Sequence, residues 1–401
     1  MNFTSKIHLP SLGMLLLSGG GALLAGTSAA ALSLVGVMIW LGKVSAGTGA
    51  QAFFSFGWIA AVQFLLLLPS TILAGMRLTG ATMPEWDINK AYWVSVGSLA
   101  LVPAAIGAGA WLTRNARMAE LLLPLIQLVV IGVPLAWLMF LGTRGFINGT
   151  SQRGWGIFSF STMVSIPIIL VAELFLLAGI LLVSVLWLQI SSPDLVRQLG
   201  NTVQRLANTD LETEAILRIL RPYLNQPVVL VGGFAITAGI IPLMEEMLKP
   251  LALWFFAPRP LTAREGFIAG LICGASFALL ESLGALANPP METWSVVAIG
   301  RIGTGILHTT TSGLVGWGLG SAWSEGKYGR LVAAYAAAVC FHGLWNIFAL
   351  LMGFGSITQF LGLNAGILDG FIQISPVILI LLSGFMISIV RRANTLLRAA
   401  G

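Results

Sequence analysis

The sequence predicts an all-α, polytopic bundle of about ten membrane-spanning helices, and three observations predict it. Of 401 residues, 57% are hydrophobic and only 9% are charged, whereas a soluble domain carries roughly 25% charge. The apolar residues fall in runs near 14–42, 52–75, 92–112, 121–142, 162–188, 229–256, 266–287, 300–321, 330–352 and 368–390, each close to the roughly 20 residues that a span needs. Late in the chain, Arg259 and Arg264, then Lys327 and Arg330, then Arg391, Arg392 and Arg398 alternate with connections near 290–299 and 353–367 that hold no Lys or Arg. That alternation places the basic connections on the cytoplasmic side.

The first run follows Lys6 and contains a small-residue patch near Ala29, the pattern of a secretory signal. Its apolar sequence continues to Trp40, so an uncleaved first helix is expected. Five runs make up an N-terminal region, residues 1–190. It is poor in chemistry: Glu173 is its one deep charge, with Gln63 and Gln127 as further buried polar candidates. A polar segment, 191–226, follows. Ser192-Pro193-Asp194 reads as a helix start, and Leu195, Leu199, Val203 and Leu206 share one face. Thr209 and Glu212 have the spacing of a capping box opening a second helix, which Pro222 ends or bends. This pair is expected to be an amphipathic linker on the membrane surface. With ten spans and an internal N-terminus the linker falls outside, against its four arginines. The remaining five runs, within 227–401, form the C-terminal core.

Composition excludes other classes. Cys273 and Cys340 both fall inside predicted spans, so no disulfide framework or CxxC metal site is available. The net charge of +6 is spread over loops and ends, which suits membrane topology and no nucleic-acid partner.

Four consecutive helices of the core each bring polar groups into the membrane: Glu245, Glu246 and Lys249; Glu281; His308; and His342 with Asn346. Ionisable groups in a bilayer are expensive and face partners or water, so these are expected to share one site. Helical phase supports it. At about 100° per residue, Glu281 shares a face with Gly266, Gly270 and Gly274, and His308 with Ser312, Gly316 and Gly320, while His342 follows Ala334 and Ala338. Such small-residue stripes let helix backbones approach closely. Lys249 lies four residues after Glu245, the favourable order for a helix ion pair.

Two imidazoles and several carboxylates suit water activation. A catalytic zinc takes three such ligands and a water, which His308, His342 and Glu281 would provide, with Glu245 or Glu246 as general base and Asn346 as a donor to an oxyanion. A metal-free scheme uses the same Glu and His residues. No HExxH occurs, Asp369 lies in no GxGD, and no serine sits in a GxSx context with a matching histidine. A proton-coupled transporter, with five helices and five as inverted repeats, is the alternative from another class, although the first half offers only Glu173. A non-catalytic membrane scaffold is a further one.

Taken in order on successive helices, EExxK at Glu245–Lys249, FxxxE at Phe277–Glu281, the membrane histidine His308 and HxxxN at His342–Asn346 resemble the PrsW family of intramembrane proteases. That family is related to the CPBP membrane proteases and the CaaX-prenyl endopeptidase. CPBP members carry EExxxR and FxxxH, which fit less well. The resemblance covers about 229–352 and implies endopeptidase activity, with Glu245, Glu246, Glu281, His308 and His342 as the active-site set. It also implies a membrane-anchored protein substrate, as in the cutting of an anti-sigma factor, in a bacterial cytoplasmic membrane. Ser282 stands where the family usually has Asn, and the five N-terminal helices lie outside the resemblance.

Overall fold

The computed structural model describes residues 8–44, 49–84, 87–146, 151–207, 213–224, 226–255, 257, 259, 261–288, 291–362 and 366–399. Among them the regular structure is helical, with no strand: α1 (Leu9–Trp40), α2 (Gly49–Thr79), α3 (Ile88–Ser98), α4 (Leu101–Leu112), α5 (Ala116–Thr143), α6 (Ser151–Phe160), α7 (Ile166–Ser191), α8 (Pro193–Ala207), α9 (Thr213–Leu224), α10 (Pro227–Ala235), α11 (Ile241–Leu248), α12 (Leu251–Trp254), α13 (Ala263–Ala285), α14 (Trp294–Glu325), α15 (Tyr328–Leu361) and α16 (Leu368–Ala399). π-helical turns at Ser161–Ser165 and Ile236–Ile240 join α6 to α7 and α10 to α11. The capping box expected at Thr209 and Glu212 lies outside the described residues.

Eight helical stretches of the described residues are long and apolar enough to cross a membrane, and α3 with α4, bent by 41°, makes a ninth. The one remaining predicted run, near 300–321, corresponds to α14. It is 32 residues long but is not among the candidate spans, because Arg301, His308, Thr309, Thr310, Thr311 and Ser312 dilute its apolar residues. The molecule is therefore a polytopic all-α membrane protein.

The chain forms two compact units. The first comprises Met1–Ile166, Glu246–Ala338 and Ser383–Gly401. Its core gathers Leu123, Val130 and Ile131 of α5, Ala278 and Leu283 of α13, and Trp294 and Ala298 of α14. Trp294 is fully buried and packs its ring where a side chain on Gly109 would sit. Helix ends are tied by polar contacts. Gln127 Nε2 donates to the Leu286 carbonyl at 2.8 Å, and Asn394 Nδ2 donates to the carbonyls of Gly142 and Arg144, each at 2.9 Å. Thr262 and Glu265 form a capping box at the start of α13.

The stripes expected from helical phase meet inside this unit. A Cβ added to Gly266 would strike the Gly316 carbonyl, one on Gly270 that of Ser312, and one on Gly274 that of His308. Because these three positions lack side chains, α13 and α14 touch backbone to backbone, as small residues permit in membranes.

The second unit comprises Pro167–Glu245 and Val339–Leu382. The polar linker is two helices, α8 and α9, joined by a 3.1 Å hydrogen bond between Thr202 Oγ1 and the Tyr223 hydroxyl. Within the same unit, Gly343 of α15 packs on the carbonyl of Ala238 in the π turn.

Candidate active site

In the first unit the polar groups come from three places: the end of α11, the middle of α13 and the middle of α14. Lys249 follows the last residue of α11 and precedes Pro250. That position leaves the α-helix, so the side chain is not held to i,i+4 spacing. The ion pair seen is with Glu246, three residues back: Nζ donates to Oε1 at 2.7 Å, and neither side chain has any accessible surface. The expectation drawn from spacing had matched Lys249 with Glu245.

The same ammonium stands 2.7 Å from Nδ1 of His308. An ammonium has only donors, so Nδ1 accepts. A doubly protonated ring would set an N–H against that ammonium; the neutral ring carries its proton on Nε2. Nε2 lies 2.8 Å from Glu281 Oε2. The FxxxE spacing acquires a purpose here. One turn before Glu281, Phe277 meets the His308 ring edge-on with centroids 5.0 Å apart, and its own face lies 4.6 Å from Lys249 Nζ.

Glu281 Oε2 has a second neighbour, the Arg301 guanidinium, with Nη2 at 2.7 Å. Arg301 Nε donates to Ser282 Oγ at 3.2 Å. Sequence reasoning missed Arg301, which sits near the edge of the run at 300–321. The signal was present: Arg301 precedes His308 by seven residues, two helical turns, so both point to one face of α14.

The second unit carries Glu245 at the end of its share of α11, and His342 and Asn346 one turn apart on α15. Glu245 and His342 are both buried, and each offers a ligand atom within 4.8 Å of the other's. Asn346 Nδ2 donates to the Thr237 carbonyl at 2.7 Å. That carbonyl belongs to the π turn, whose altered hydrogen bonding leaves backbone groups to satisfy; π turns frequently mark functional sites. Of the two cysteines, Cys273 is buried and Cys340 exposed. The former lies 3.4 Å from Ser161 Oγ.

The profile of the PrsW family intramembrane metalloproteases matches residues 167–368, half of the chain. The chain belongs to the PrsW family. No protein of curated function and no solved structure matches it. PrsW membership makes this an integral membrane protein with an intramembrane protease domain. All of the residues read as site candidates, from Glu245 to Asn346, fall within the PrsW match, as do the linker helices α8 and α9. Residues 1–166 lie outside it.

Proposed function

We propose that this PrsW protein hydrolyses a peptide bond of a membrane-anchored protein substrate, with Glu245, Glu246, Glu281, His308 and His342 as its active-site set. One observation carries the reading. A fully buried ammonium, imidazole and carboxylate form an unbroken series, Glu246–Lys249–His308–Glu281, in a chain whose charge is otherwise sparse. Such groups are costly inside a bilayer unless they serve a site, and the family match supports placing Glu245 and His342 in the same one.

The donor chemistry fits a divalent metal such as zinc. A buried carboxylate and a buried imidazole with ligand atoms inside 4.8 Å are the oxygen and nitrogen types zinc takes at about 2.0–2.2 Å. We assign Glu245 and His342 as two of its ligands; His308, expected from sequence as a third, has both ring nitrogens engaged, by Lys249 and Glu281. When bound, the metal would polarise the scissile carbonyl and acidify a water. Glu281 moves from the ligand role expected from sequence to that of the carboxylate orienting His308, since it faces the ring nitrogen opposite the Lys249 side. Glu246 accepts the proton of the attacking water and returns it to the leaving amine, with Lys249 compensating its charge. Asn346 holds the π turn that precedes Glu245. A bacterial cytoplasmic membrane and an anti-sigma-factor-like substrate follow from the family resemblance.

Purified protein reconstituted with a single-span reporter substrate tests the reading. Glu245→Gln, Glu246→Gln, His308→Ala and His342→Ala are each expected to abolish cleavage, and a chelator to suppress it in the wild type. Cleavage that survives all four substitutions overturns the protease assignment. Cleavage indifferent to chelation in a metal-free preparation overturns the metal while leaving the glutamates in place.

A further inference from the structure

We propose that Arg301, anchored by Ser282, is the positioning residue that holds Glu281 against the Nε2 side of His308. The inference rests on the protease reading for its effect on rate, though not for its geometry. An arginine in a membrane helix is expensive, so its partners define what it is for. One edge of the guanidinium is used at two points: Nη2 at 2.7 Å from Glu281 Oε2 and Nε at 3.2 Å from Ser282 Oγ. Glu281 and Ser282 are consecutive on α13, and Ser282 is fully buried. A planar fork can span two neighbouring acceptors in this way, whereas a lysine ammonium is a point charge.

The arrangement has a direction. Arg301 and His308 both converge on Oε2 of Glu281, so removing the guanidinium frees the carboxylate to turn away from Nε2. His308 would then keep its Nε2 proton, because Lys249 still occupies Nδ1, but lose the carboxylate that orients the ring. Ser282 also gains a meaning. The family pattern has Asn at this position, and here a shorter hydroxyl accepts from Arg301 Nε. The departure is accommodated through the arginine and leaves the carboxylate placed.

Four variants in proteoliposomes test this: Arg301→Gln, Arg301→Lys, Ser282→Ala and the double variant Arg301→Gln/Glu281→Gln. For Arg301→Gln the expected loss is about 10–100-fold in kcat, the range seen when groups orienting a site are removed, with KM within about twofold. Lys is expected to rescue only part of it, and Ser282→Ala to cost about tenfold, the low end for a hydrogen bond from a charged donor. The double variant should be no slower than Glu281→Gln alone. The second readout is the NMR signal of the His308 Nε2 proton, expected downfield in the wild type, where it faces the Glu281 carboxylate, and moved upfield in Arg301→Gln. Wild-type kcat in a folded Arg301→Gln, full rescue by Lys, or losses that multiply in the double variant overturn the proposal. Should the wild type cleave no reporter, the protease reading fails. The NMR comparison then decides the positioning role by itself, and an unchanged Nε2 proton signal overturns it.

Discussion

Lys249 Nζ and His308 Nδ1 stand 2.7 Å apart with both side chains buried, and this contact orders the chemistry around it. Because the lysine can only donate, it takes the lone pair of Nδ1 and leaves the Nε2 proton toward Glu281. Glu246 balances the lysine from the other side. Removing Lys249 or Glu246 alone strands the charge of the other.

Lys249→Met is therefore expected to destabilise the protein by about 3–5 kcal/mol, the cost of breaking a buried pair. Lys249→Met/Glu246→Gln should recover most of that stability without recovering cleavage. Denaturant unfolding in detergent, alongside the reporter assay, measures both. Equal losses in the single and double variants would show that the pair is not coupled.

The backbone contact of α13 with α14 makes a steric prediction. Gly270→Val drives a side chain into the Ser312 carbonyl and is expected to cost about 1–3 kcal/mol, as overpacking does. Gly284, on the same helix, has nothing within 4 Å of an added Cβ. Gly284→Ala should stabilise by about 0.4–1 kcal/mol through the unfolded chain. Thermal unfolding of the two variants must move in opposite directions.

If Glu245 and His342 bind metal, mass-spectrometric metal content falls in Glu245→Gln and His342→Ala. Phe277→Leu keeps the metal, since it alters only the wall beside His308. A metal content equal in all four proteins would remove these residues as ligands.

Glu325 closes α14, where Lys327 Nζ lies 2.6 Å and Arg330 Nη1 3.1 Å from Oε2. The hydrogen bond from Lys327, with both cations close by, holds its carboxyl below the ordinary value of 4.5. A depressed folded-state value gives stability that is present above 4.5 and lost as pH falls through the folded value. The Tm gap between wild type and Glu325→Gln should be small at pH 7, because the pair is exposed, and should vanish in acid. A gap that widens on acidification would contradict the sign.

Much of the site was legible because membrane burial makes polarity conspicuous. Glu281, His308 and His342 stand out in apolar runs, and the phase of Gly266, Gly270 and Gly274 against Ser312, Gly316 and Gly320 foretold the α13–α14 seam. Three things were not legible, each for a physical reason. Lys249's partner depends on α11 ending one residue earlier, which spacing rules for a continuous helix do not anticipate. Arg301 sits at the very start of its apolar run, where arginines commonly flank spans. The 41° bend between α3 and α4 lies at Leu99 and Ala100, which the continuous apolar run at 92–112 hides: Pro103, four residues on, cannot donate to the Leu99 carbonyl, and Gly97-Ser98 precedes the bend.

The polarity of α14 also bears on how the protein is made. At the centre of a membrane helix, arginine costs roughly 2.5–3.5 kcal/mol on the insertion scale, and α14 adds a histidine and a run of hydroxyls without matching apolar gain. Left alone at the translocon, such a helix would stay in water. Its glycine seam with α13 offers shelter only once α13 is present, so the two are expected to enter the bilayer as a hairpin. Glycosylation mapping of α14 with and without α13 would read this out as a change from translocated to inserted. Assembly of the catalytic centre would then begin during synthesis, with the first backbone-to-backbone contact.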